Sequence, residues 1–131
     1  MAYENQGKKI TAIAGANLAL AQYHFVMISA DNTVVPCAAV TDIPCGVLQN
    51  NPAAGLAAEV QVDGITKILA GAAPLVAGNL IGTAVGGAAD VIDPDGANDL
   101  YYCGQVIQGA GAGEIASALI NCATPVIQSG S

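Results

Sequence analysis

The chain has no tryptophan, no arginine, one phenylalanine and one histidine in 131 residues. Each scarcity excludes something. Nucleic-acid binding works by displacing counterions from phosphates with basic side chains. Lys8, Lys9 and Lys67 are the whole basic complement, against a formal net charge of −7, so no nucleic-acid partner is expected. Charged residues of both signs make up only 10%, where an ordinary soluble domain carries about a quarter. Charge keeps protein surfaces apart in solution. A surface this poor in it is suited to burial against other subunits. Scarce aromatics and abundant alanine and glycine mean little apolar area per side chain, at roughly 25 cal/mol per Å². One modest core, in one domain, is what this length supports.

What remains is a regular succession of short apolar runs and turns. Gln22–Ser29 is rich in aromatic and β-branched residues and reads as a strand, with Tyr23, Phe25 and Met27 on one side and His24, Val26 and Ile28 on the other. Both sides are largely apolar, as in a strand covered on both faces. Asp31-Asn32 turns the chain into Thr33–Ala39. Cys45–Gln49 is the next run, followed by an Asn-Asn-Pro loop that Gly55 closes. Ala58–Val62 and Ile65–Leu69 flank Asp63-Gly64, the strongest short hairpin signal in the chain. Leu80–Thr83 and Ala88–Ile92 flank Gly86-Gly87 in the same way, and Tyr101–Gln108 and Glu114–Cys122 are the last strands. Helix formers in Ala53–Val60 and Glu114–Asn121 leave a short helix open in either place. The expected fold is mainly β: a small barrel or sandwich of short antiparallel strands behind a flexible N-terminal arm. The arm is set at 1–12 and the single β-rich domain at 13–131, although Ile10–Ala14 alternates weakly and fits either a first strand or the end of the arm.

Two targeting look-alikes have plainer readings. Lys8-Lys9 before ITAIAGANLALA imitates a secretory signal, but Gly15-Ala16-Asn17 breaks its apolar stretch. Ile68–Ala89 is uncharged and long enough to span a bilayer, but Pro74, Asn79 and five glycines suit two strands and their loops better. No membrane association is expected. An internal echo links Cys45-Gly46 with Cys103-Gly104, and Ala54-Gly55 with Ala112-Gly113. Each copy reads strand, small-residue loop, strand, by duplication or by convergence of two hairpins.

The chemistry is sparse. His24 lies inside an apolar run, and no nucleophile signature surrounds any cysteine, so the expectation is no enzyme. Cys37, Cys45, Cys103 and Cys122 form no C-x-x-C pair, which disfavours zinc. Four cysteines allow two disulfides in three connectivities, and in a reducing cytoplasm buried thiols are the default. The sharpest metal candidates are Asp93, Asp95 and Asp99, around Gly96. Closely spaced carboxylates on a glycine turn suit Ca²⁺, but the run is too short for an EF-hand loop and lacks its terminal glutamate. A solvated turn is the preferred reading, and a calcium-dependent surface-ligand-binding β module is the alternative function. Gly109–Gly113 fits no phosphate-binding fingerprint, and Lys67 lies off the Asp63-Gly64 turn where a carrier-domain lysine would need to be. No cofactor is expected.

Five segments, in order, carry a resemblance: MAYENQGKKI (Met1–Ile10), ADNTVVP (Ala30–Pro36), DIPCGVLQN (Asp42–Asn50), EVQVDGI (Glu59–Ile65) and GNLIGT (Gly78–Thr83). They are similar to the capsid cement, or head decoration, proteins of tailed bacteriophages. The resemblance implies a compact β-rich domain made in the host cytoplasm and bound as a homotrimer outside the major capsid protein shell, stabilising the expanded head. It offers no active-site residues. In such a protein a mobile arm would attach by adding a strand to a sheet edge, and Tyr3, Lys8, Lys9 and Ile10 are the arm residues expected to do so.

Overall fold

A computed structural model describes residues 7–92, 100–123 and 126–128. Among these residues the chain is all β, with twelve strands. They are β1 (Lys9–Ala14), β2 (Phe25–Ala30), β3 (Thr33–Pro36), β4 (Gly46–Leu48), β5 (Ala57–Gln61), β6 (Asp63–Leu69), β7 (Leu80–Thr83), β8 (Ala89–Val91), β9 (Leu100–Tyr102), β10 (Gly104–Gln108), β11 (Ile115–Asn121) and β12 (Val126–Gln128). The first five close a barrel in the order β1-β3-β2-β4-β5. A second sheet runs β6-β11-β10-β7-β8, and β12 pairs with β9 in a separate ribbon. Both candidate helices are strands, β5 and β11.

The second sheet repeats the pairing of the barrel. β5 lies between β1 and β4 as β11 lies between β6 and β10. Val47 and Leu48 pair with Gln61 and Val60; 58 residues on, Gln105 and Val106 pair with Leu119 and Ala118. The loop bonds match as well. Ala14 N donates to Leu56 O at 2.9 Å, and Ala70 N to Glu114 O at 2.8 Å. Leu18 N donates to Pro52 O, and Leu75 N to Ala110 O, both at 2.9 Å. The parallel pair that closes the barrel, Ala14 with Val34, has its counterpart in a single parallel bridge from Ala70 to Ala89. The echo around Cys45 and Cys103 is therefore the visible part of a repeat of five strands, with Cys45 N bound to Val26 O as Cys103 N is to Ile81 O.

Each repeat has its own interior. Ala12, Ala14, Val26, Leu48, Ala58 and Val60 fill the first. Ile68, Ala70, Ile81, Val106, Ala116 and Ala118 stand at the equivalent places of the second. The opposite faces of β2 and β4 supply Phe25 and Val47, which pack into the second interior. This confirms at Phe25 and Val26 the expectation of a strand covered on both faces. A polar thread crosses the same junction: Gln22 Nε2 donates to Gln49 O at 2.9 Å, and Gln49 Nε2 to Thr66 Oγ1 at 2.8 Å. Thr66 is fully buried, so its hydroxyl needs such a partner.

Several expectations change in detail. The Asp63-Gly64 hairpin does not form. Gly64 has φ 88°, but Asp63 stays out of the left-handed region that a type I′ turn needs at both positions. β5 and β6 instead diverge: β5 pairs with β1 and β4, while all seven residues of β6 pair with β11. A seven-residue ladder outweighs a two-residue turn preference. The Gly86-Gly87 hairpin does form, with both glycines at positive φ between β7 and β8. The expected strand at Gln22 begins only at Phe25, because Ala21 and His24 close turns and Tyr23 is left-handed, with φ 66°. Tyr101–Gln108 is two strands broken at Cys103. The boundary placed after residue 12 falls inside β1, which pairs with β5 from Lys9 onward. Ile68–Ala89 holds parts of β6, β7 and β8, and no helix among the described residues is long and apolar enough to cross a membrane.

Candidate functional surface

Of the four expected attachment residues, three are described and Tyr3 lies outside the described residues. The chain enters the barrel beside the β5–β6 junction. Lys8 N donates to Asp63 Oδ1 at 2.6 Å, and Val62 N donates to Lys8 O at 2.8 Å. Lys9 and Ile10 then open β1, opposite Gln61 and Val60. The backbone of these residues is thus committed to the barrel, and their side chains are exposed. β1 also turns Ile13 outward, 45% exposed, and Ile28 on β2 is 60% exposed. The result is an apolar outer surface with two ammonium groups at its start. Such a surface offers contact area and a small positive rim.

His24 is half-buried just before β2. Its Nδ1 meets Gln22 O at 3.1 Å, and no hydrogen bond among the described residues joins it to a thiol. All four cysteines are free. Burial pushes the Cys37 thiol up to about 12, with a Thr83 hydrogen bond acting the other way, and burial takes Cys45 to about 11. Thiols held this far from ionisation are poor nucleophiles. Cys103 and Cys122 are buried with their sulfurs 3.3 Å apart. No group of three or more metal-ligating side chains is found among the described residues. Asp93, Asp95 and Asp99 lie outside them.

Two surface depressions among the described residues are notable, and sequence reasoning found neither. One, of about 220 Å³, lies between the outer face of the second sheet (Leu80, Gln105, Leu119) and the β9–β12 ribbon (Tyr102, Val126). The other is lined by Met27, Asp42, Ile43, Cys45 and Cys122. The ribbon left little signal, because β12 is three residues long. Lys67 is also placed: its Nζ lies 5.9 Å from the centroid of the Tyr23 ring, a cation–π contact between the two repeats rather than a modification site.

No family model matches the chain, and no curated protein matches it. Among solved structures it is similar to the N base of the head fiber protein gp8.5 of bacteriophage phi29. The two share 20% sequence identity and superpose with a TM-score of 0.63, over 88% of this chain and 94% of that one. At that identity the likeness concerns the fold: this chain folds, over nearly its whole length, like the N base of a phage head fiber.

Proposed function

We propose that this chain is a structural protein of a bacteriophage head. It binds the outside of the major capsid shell as a homotrimer and stabilises the expanded head, without catalysis. The observation that carries the reading is the fold shared with a phage head fiber base over 88% of the chain. The composition agrees with it. A chain with 10% charged residues and exposed Ile10, Ile13, Ile28, Leu119 and Val126 gains by covering surface. Several subunits engaging together convert weak contacts into firm attachment through effective concentration. In this role the exposed Lys8 and Lys9 pair with acidic shell residues, where rim charges speed association more than they tighten it.

The test is mechanical. Heads assembled without the chain release their DNA at a lower temperature than complete heads, as followed by a DNA-binding dye during heating. Equal release temperatures would remove the stabilising role.

A further inference from the structure

Four thiols are scattered over 86 positions of sequence, yet two of them meet. Cys103 stands just before β10 and Cys122 just after β11. The antiparallel register that pairs Gly104 with Ile120 brings those ends together. Backbone bonds then fix both: Asn121 N donates to Cys103 O at 2.7 Å, and Cys122 N to Val62 O at 2.8 Å. The sulfurs lie 3.3 Å apart, in contact but unbonded. The pair is also approachable from two sides. Cys103 borders the depression beneath the β9–β12 ribbon, and Cys122 borders the one that holds Met27, Asp42 and Cys45. A buried apolar core has no need of two sulfurs in contact beneath two surface openings.

We propose that Cys103 and Cys122 are a redox staple, open as thiols and closed to a disulfide by a small-molecule disulfide such as oxidised glutathione. The Cys122 thiolate attacks one glutathione sulfur and expels a glutathione thiolate, leaving a mixed disulfide. The Cys103 thiolate then attacks the Cys122 sulfur and expels the second. In sum, two protein thiols and one glutathione disulfide give one intrachain disulfide and two glutathione thiols, with both protons passing to the leaving sulfurs. Closure shortens the separation from 3.3 Å to the roughly 2 Å of a disulfide. The contact between Cys122 and Cys103 and the burial of both hold the Cys122 thiol far above its ordinary range, so closure is slow at neutral pH. The closed bond ties the open end of the β10–β11 hairpin and restricts the unfolded chain. This inference is independent of the head-protein reading: it rests on the β10–β11 register and the contact between the two sulfurs.

The experiment uses the purified, reduced, full chain, incubated folded with oxidised glutathione. Intact mass, free-thiol titration and peptide mapping are the readouts. The expected result is a loss of two hydrogens, about 2 Da by the two-thiol stoichiometry, with two of the four thiols consumed. One linked peptide pair should join Cys103 to Cys122. The unfolding midpoint should rise by about 5–10 °C and fall back with dithiothreitol. Four titratable thiols at unchanged mass would overturn the proposal. So would a persistent glutathione adduct, or a bond mapped to Cys37 or Cys45.

Discussion

Phe25 and Val26 are neighbours in sequence and belong to different interiors. Val26 points into the first barrel, and Phe25 packs with Ile68 and Ile81 in the second. Phe25 is the largest fully buried side chain among the described residues and the only phenylalanine in the sequence. Its cluster also includes Ala70, Ala89, Ala116 and Ala118, which cannot expand to fill a void. Phe25→Ala therefore costs about 3–5 kcal/mol, a large share of the stability of a domain this size, and urea denaturation measures it. A loss under 1 kcal/mol would mean that the repeats do not meet through this residue. The buried thiols give a second residue-scale expectation. Cys37 is raised from an ordinary value near 9 to about 12. The folded state thus holds that proton more tightly than the unfolded state. The stability this confers is complete below about pH 9 and is lost as pH rises toward 12. Unfolding midpoints of the reduced protein should fall across that window, and the Cys37→Ala variant should show a weaker fall. Residue-scale reading of the sequence caught the two-sided burial at Phe25 and Val26. It missed the left-handed Tyr23, because β-branched and aromatic neighbours signal extended backbone and only the turns at Ala21 and His24 reveal otherwise.

The ladders differ in length, and local stability should follow. β6 and β11 are paired over seven residues, from Asp63–Asn121 to Leu69–Ile115, with Ile68, Ala116 and Ala118 beneath them in the core. β9 and β12 are paired over three at the edge of the molecule, with Val126 about half exposed. Opening free energies run from near zero at lightly packed edges to the global value in the core. Hydrogen exchange should therefore leave the amides of 65–69 and 115–120 protected longest, and those of 100–102 and 126–128 should exchange earliest among strand residues. Equal protection in the two regions would contradict the packing described above. Element-scale legibility follows the same division. Turns that join sequence neighbours were readable at Asp31-Asn32 and Gly86-Gly87, because glycine and asparagine supply positive φ where a hairpin needs it. Asp63-Gly64 carried the stronger signal and failed, because the partner of β6 is β11, some fifty residues away. The thiol pair was illegible for the same reason: the 103–122 spacing acquires meaning only once the β10–β11 register is known.

At the scale of the molecule, two five-stranded repeats share one junction, built from Phe25, Val47 and the Gln49–Thr66 hydrogen bond. The β class was legible, because short apolar runs separated by turn residues recur along the whole chain. The extent of the repeat was not, since small side chains at equivalent positions satisfy the same pairing with few identities; Cys-Gly and Ala-Gly are its visible marks in the sequence. In the proposed role, the molecule acts through the area it covers and the number of copies it brings. On the proposed reading the chain is phage-encoded, and the most direct measurement is quantitative mass spectrometry of purified particles of that phage. The account predicts many copies per particle in a fixed ratio to the major capsid protein, lost selectively when intact heads are treated with protease. Particles from which the chain is absent would contradict it, as would a chain protected from protease inside the shell.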